Sequence, residues 1–193
     1  NVVNWQYNMN DGVGNSTLSS PNYIYHNSGV FHPSLVVTSD FGCTSSYTGN
    51  SVVNELPIAD FLVENNCVGE ENIFTDISTV SNGNISSWEF VFGDSTNNGL
   101  YPNVLHQYAL AGVYNVTLNI ISDKGCKTSV VKETIVYDIP LIDFTSEQFC
   151  LGIPTNFTNF STQNNGNIIK WEWKFGDDIG IANFEHPGYI YSN

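Results

Sequence analysis

Basic residues are scarce in this 193-residue chain: 5 Lys+Arg stand against 19 Asp+Glu, a formal charge of −14. That excludes recognition of a phosphate backbone, which needs clustered cationic side chains, and it disfavours docking on an anionic membrane surface. Long apolar runs are also missing. No stretch approaches the roughly 18 consecutive apolar residues of a membrane span, so no membrane insertion is expected. No window keeps a helical period. The opening "NVVNWQYNMN" has neither a basic n-region nor an apolar h-region, and no initiator Met. Metal-chelating H-x-x-x-H and C-x-x-C spacings are absent, and His26, His32 and His186 stand singly. So are G-x-S-x-G, Walker and G-x-G-x-x-G motifs; "DGVGNS" at Asp11 is a loop without a flanking helix.

What is present suits a packed β protein. The chain is 41% hydrophobic and 13% aromatic, enough for a core and too much for disorder. Aromatic and β-branched residues are punctuated by Gly and Asn at short intervals, which predicts an all-β fold.

The same phrase is written three times: "WQYNMND" from Trp5, "WEFVFGD" from Trp88 and "WEWKFGD" from Trp171, each 83 residues from the next. Tyr25, Tyr108 and Tyr191 keep that spacing, as do Gly29 and Gly112, Cys43 and Cys126, Pro57 and Pro140, Phe61 and Phe144, and Cys67 and Cys150. A shared offset across unrelated residue types predicts an 83-residue structural unit, the size of a small β-sandwich. One complete copy spans 56–139. Residues 1–55 read as the C-terminal part of a preceding copy, and 140–193 as the N-terminal part of a following one. The chain therefore reads as a length of a longer array.

Within the complete copy, Trp88, Phe90 and Phe92 fall on one face of a strand. Tyr114, Val116, Leu118 and Ile120 form a second inward stripe, "SDKG" turns the chain, and "CKTSVVKETIVY" returns it. "PIADFLV" and "NIFTDIS" precede the Trp strand. Short strands with turn signals between them predict an immunoglobulin-like sandwich. The short linker "YDIP" predicts that neighbouring units abut and flex little.

"WEFVFGD", then "HQYALAGVYNVTL" from His106, then "SDKG" resembles the PKD (polycystic kidney disease) domain, whose hallmark is W-x-F-G-D-G followed by H-x-Y-x-x-x-G-x-Y-x-V-x-L. The likeness covers the complete copy and both partial ones, so the expected fold is tandem immunoglobulin-like (PKD) β-sandwiches. Departures are Ser95 and Asp178 for the last Gly of the first motif, Tyr23 and Tyr189 for His106, and Asn10 for Gly93. The paired Cys positions resemble tandem PKD repeats of large Bacteroidota surface proteins, including gliding-motility adhesins exported by type IX secretion. The resemblance implies an extracellular module on the outer surface of a bacterium, serving as stalk, spacer or adhesion unit, and not catalysis.

Two readings of the repeated phrase compete. Asp11, Asp94 and Asp177 could be working carboxylates and His106 a base. Alternatively the aromatics, including Trp5, Trp88, Trp171 and Tyr108, are core, the Gly permits a turn, and the Asp caps backbone N–H groups. Replacement of His106 by Tyr23 and Tyr189 favours structure, because Tyr hydrogen-bonds but cannot do the same acid–base work. The resemblance also raises calcium, with Asp123, Asn82 and Asn84 as candidate ligands. Asn offers neutral oxygens where calcium prefers several carboxylates, so no cofactor is expected. Tyr101, Phe41 and Phe149 fall in loops and are candidates for exposed contacts.

Cys43, Cys67, Cys126 and Cys150 are expected to be paired in an extracellular chain. A Cys67–Cys126 bridge conflicts with sandwich topology, since the two turns lie at opposite poles roughly 25 Å apart, whereas bridged Cα atoms sit about 5–6 Å apart. Bridges between adjacent units are expected instead. "DST" at Asp94–Thr96 resembles a Bacteroidota O-glycosylation signal, with Ser95 the acceptor. The sequons at Asn15, Asn84, Asn115, Asn156 and Asn159 follow from an Asn- and Thr-rich composition.

The leading expectation is a non-catalytic stalk or spacer segment of a large adhesin, its partners being neighbouring repeats of the same polypeptide and surface glycans or proteins. The alternative is an accessory carbohydrate- or protein-binding module of a secreted hydrolase.

Overall fold

The protein is described by a computed structural model covering residues 1–147 and 149–191. Among these residues there is no helix, and every regular element is a strand. The fold is all-β and immunoglobulin-like.

Residues 1–55 contribute β1 (Val2–Asn8), β2 (Asn15–Ser16), β3 (Gly29–Phe31), β4 (Ser34–Ser39), β5 (Thr44–Thr48) and β6 (Ser51–Val53). The central unit contributes β7 (Phe61–Glu64), β8 (Glu71–Asp76), β9 (Ile85–Val91), β10 (Asn103–Gln107), β11 (Gly112–Ser122) and β12 (Lys127–Val136). The last segment adds β13 (Phe144–Ser146), β14 (Thr155–Asn159), β15 (Trp173–Lys174), β16 (Ile181–Ala182) and β17 (Gly188–Tyr189).

The central unit is two three-stranded antiparallel sheets, ordered β10-β8-β7 and β12-β11-β9. Alternation along each strand sends one set of side chains between the layers. Phe61, Phe74, Phe90, Phe92, Tyr108, Val116, Leu118, Ile120 and Val136 fill that space and are buried. Phe90 is the hub, its ring centroid 5.5 Å from Phe61, 5.9 Å from Phe74 and 6.4 Å from Phe92. Lys132 ties the layers at one side: its Nζ donates to the Phe61 carbonyl at 2.6 Å and pairs with Asp60 at 2.5 Å.

The flanking segments each hold part of the same plan. In 1–55, β2-β1-β4-β5 reproduces the sheet of β9, β11 and β12. What is one eleven-residue strand in the central unit is split here into β3 and β4, because Pro33 stands where Val116 does and cannot donate to the ladder. In 140–191, β13, β14 and β17 reproduce the opposite layer. One bridge recurs in all three: Tyr7↔Ser16, Phe90↔Gly99 and Trp173↔Ala182 share a register. Outside the central unit the buried apolar side chains among the described residues are Met9, Phe175 and Pro187.

Candidate functional site

The repeated phrase ends in a tight turn, and the turn is built three times on the same plan, an Asp carboxylate accepting from the N–H two residues on and from an aromatic side chain twelve residues on. In the central unit the Asp94 carboxylate accepts from the Thr96 N–H (3.2 Å) and Thr96 Oγ1 (2.6 Å) with one oxygen, and meets His106 Nε2 (2.7 Å) with the other. Asp11 accepts from the Val13 and Gly14 N–H groups (3.1 and 2.7 Å) and from the Tyr23 hydroxyl. Asp177 accepts from Ile179 and Gly180 (3.3 and 2.8 Å) and from the Tyr189 hydroxyl. A phenol thus takes the place of the imidazole without changing what the carboxylate does.

The aromatic surroundings repeat as well. The His106 ring stacks on Phe92 at 3.9 Å and 4°, and Tyr189 on Phe175 at 4.2 Å and 6°. Tyr25, Tyr108 and Tyr191 donate to the carbonyls of Met9, Phe92 and Phe175 at 3.0, 3.0 and 2.9 Å. Burial, then the fields of Asp94 and Tyr114, hold the Tyr108 hydroxyl well above its ordinary pKa, so it stays a proton donor.

The turn needs two left-handed residues on either side of the Asp. These are Asn10 and Gly12, Gly93 and Ser95, and Gly176 and Asp178, with φ between +62° and +89°. All three departures from the glycine pattern therefore fall on left-handed positions. Sequence reading found the motif but not this backbone demand; the recurring Asn, Gly, Ser and Asp at these offsets was the available signal.

Asp94 and His106 are 13% and 11% exposed, and the carboxylate and imidazole face each other, not a cleft. Burial raises the Asp94 pKa, but hydrogen bonds from Thr96 and His106 outweigh it and leave the group below its ordinary 3.8. A carboxylate depressed on folding stabilises the fold at pH above its unfolded value, and that stability is lost as pH falls through the folded value. The central unit is therefore expected to lose stability below about pH 4, and Asp94→Asn to flatten that acid limb. Denaturant midpoints measured from pH 3 to 7 check this; identical acid limbs in both proteins would exclude Asp94 as a contributor.

The tryptophans are half-buried, not hidden. Trp88 packs against the core edge and donates its Nε1 to Asp76 at 2.8 Å, and Trp5 lies on β1. Trp171 and Trp173 line an apolar recess of about 330 Å³ with Ile142 and Phe144. In the central unit the corresponding surface lies under β11 and β12. Trp171 Nε1 has no partner, because Asn159 replaces Asp76 and directs its amide to Glu185 at 3.2 Å.

Of the calcium candidates, Asp123 and Asn84 meet through their main chains, the Asp123 N–H donating to the Asn84 carbonyl at 2.8 Å, and Gly83 lies against the Asp123 carboxylate. Exposed Asn82 lines a separate recess with Glu55 and Val30. Among the described residues no group of three or more His, Cys, Asp or Glu is placed to hold a metal ion.

The expectation of paired cysteines meets free thiols at Cys43, Cys67, Cys126 and Cys150. Register gives the reason within the central unit. Cys67 bridges to Tyr137 beyond the end of β12, whereas Cys126 precedes its start. The ten-residue strand holds them roughly 33 Å apart. Ser95 is exposed. Phe41, Tyr101 and Phe149 are exposed as expected, Phe41 at 89%.

A model of the PKD domain family matches residues 54–136. The pre-pro-metalloprotease PrtV of Vibrio cholerae is 33% identical over 125 residues, covering 62% of this chain and 13% of that protein. Among solved structures, the PKD1 domain of Vibrio anguillarum Epp is 24% identical, covers 43% of this chain and 95% of its own, and gives a TM-score of 0.41. The PKD1 domain of the Vibrio cholerae metalloprotease PrtV is 27% identical, covers 42% and 98%, and gives 0.40.

Proposed function

Taking residues 54–136 as a PKD domain, we propose that this chain is a non-catalytic module of a secreted protein, accessory to a hydrolytic domain on the same polypeptide. One observation carries the non-catalytic part. The most reactive-looking pair, Asp94 and His106, is spent on closing a turn, and the same turn closes with Tyr23 and Tyr189, which cannot shuttle protons at neutral pH. Similarity to a secreted metalloprotease supports the accessory role. The module's work is then to space or orient the hydrolytic domain and to hold protein or polysaccharide near it, in an extracellular setting.

A second reading keeps the chain in a longer stalk at a bacterial surface, as in adhesins of the gliding and type IX kind. The 83-residue period and short linkers favour it. In either reading Asp123, Asn82 and Asn84 are where calcium would bind, and exposed Ser95 is where a sugar would be added. Intact mass equal to the bare polypeptide removes the sugar.

The purified chain is expected to hydrolyse neither casein nor insoluble chitin or cellulose, while being retained on at least one of them in a pull-down. Hydrolysis abolished by Asp94→Asn would overturn the non-catalytic reading. Absence of any retention would sink the substrate-holding role and leave spacing alone.

A further inference from the structure

The second residue after each unit's last strand is acidic, and an equivalent contact recurs at both junctions. Glu55 Oε1 accepts from Ser28 Oγ at 3.1 Å within its own unit, and its Oε2 accepts from Ser81 Oγ of the next. Asp138, 83 residues on, accepts from Asn164 Nδ2 at 2.5 Å, while its carbonyl receives Gln163 Nε2 at 3.4 Å. Ser81 and Asn164 are themselves 83 residues apart, each in the turn that precedes the Trp strand.

The chain between these units has almost no slack. Tyr137 is pinned to the turn after β7, its N–H donating to the Asn66 carbonyl (3.1 Å) and its carbonyl accepting from Val68 (2.8 Å). Leu141 is pinned on the other side by reciprocal bonds with Thr162 at 2.8 and 2.9 Å. Only Asp138, Ile139 and Pro140 lie between, a span of at most about 14 Å. Pro140 fixes its own φ and holds Ile139 extended.

We propose that Glu55 and Asp138 are orientation locks: the carboxylate ending one unit captures a neutral donor, Ser81 or Asn164, in the leading turn of the next, and so sets the angle between successive units. An exposed hydrogen bond would not hold two free domains together. Here the tether keeps donor and acceptor at high effective concentration, so the bond has only a small residual rocking motion to suppress. The partner is chemically specific: each acceptor meets a hydroxyl or amide, with no cation required. Nothing in this depends on whether the units serve a hydrolase or a stalk.

The test uses the 193-residue chain with genetically encoded spin labels, so that the four thiols stay untouched. Labels at exposed Tyr47 and Leu105 report on the first junction, and labels at Val131 and Ile169 on the second. A pair at Leu62 and Val131 is the internal control. Narrow distance distributions are expected for the native chain. Glu55→Ala should broaden the first distribution roughly twofold as the tether alone takes over. Ser81→Ala should do the same, and the double variant no more than either single one. Asp138→Ala should broaden only the second, with the control unmoved. Unchanged widths in the alanine variants, additive broadening in the double variant, or a native distribution already as broad as the variants would each overturn the proposal.

Discussion

Phe90→Ala is expected to cost the central unit about 3–5 kcal/mol, the range for deleting a large aromatic from a closed core. Phe90 is fully buried and touches Phe61, Phe74 and Phe92, which arrive from both sheets, so no single strand can move in to close the hole. A unit of this size has roughly 4–12 kcal/mol of stability in total. The melting temperature, followed by near-ultraviolet circular dichroism of the aromatic cluster, should fall by more than about 12 °C. Leu62→Ala on the outer face of β7, where the side chain is mostly exposed, should shift it by no more than a few degrees. A small loss at Phe90 would mean that the aromatic interior is not what supports the fold, and the scaffold reading would lose its physical basis.

Alternation made this core legible in the sequence. Phe90 on β9 and Phe92 just past its end, and Val116, Leu118 and Ile120 on β11, are spaced by two, and the structure faces all five inward. The 83-residue offset made the turn recognisable in each segment. Two things could not be read. Trp5, Trp88 and Trp171 carry the same alternation signal, but burial depends on the opposing layer, and the segments flanking the central unit show only part of the two-layer plan. Periodicity reports which side a residue faces, not what covers that side. The linker carboxylates were also invisible as partners, because Glu55 and Asp138 acquire their donors through chain folding and no local motif marks them.

The left-handed positions of the turn show how context decides a substitution that local preference would misjudge. Gly93→Ala is expected to destabilise the central unit by about 2–5 kcal/mol. Roughly 1–2 kcal/mol comes from forcing a side chain into left-handed backbone, and the remainder from overlap, which typically costs about 1–3 kcal/mol in a packed site. A Cβ at Gly93 would lie 2.7 Å from the Asn115 carbonyl, a backbone atom of β11 that cannot swing aside. Asn tolerates left-handed backbone, and Asn10 occupies the equivalent position in the first segment at φ +62°. Gly93→Asn nevertheless should cost nearly as much as Gly93→Ala. The strand facing Asn10 is broken at His32 and Pro33, which opens room for its side chain and leaves the His32 N–H free to donate to Asn10 Oδ1 at 3.3 Å. In the central unit β11 runs unbroken past Asn115, whose carbonyl takes up that space. Gly176→Ala should cost only the backbone strain, since nothing lies within 4 Å of a Cβ there. At exposed Ser95, φ +66°, glycine relieves strain but gains unfolded-state entropy, so Ser95→Gly should stabilise by about 0.5 kcal/mol. Urea midpoints for these four variants check the order. If Gly93→Asn proved as mild as Gly176→Ala, the close approach of β11 would not be what keeps that position bare.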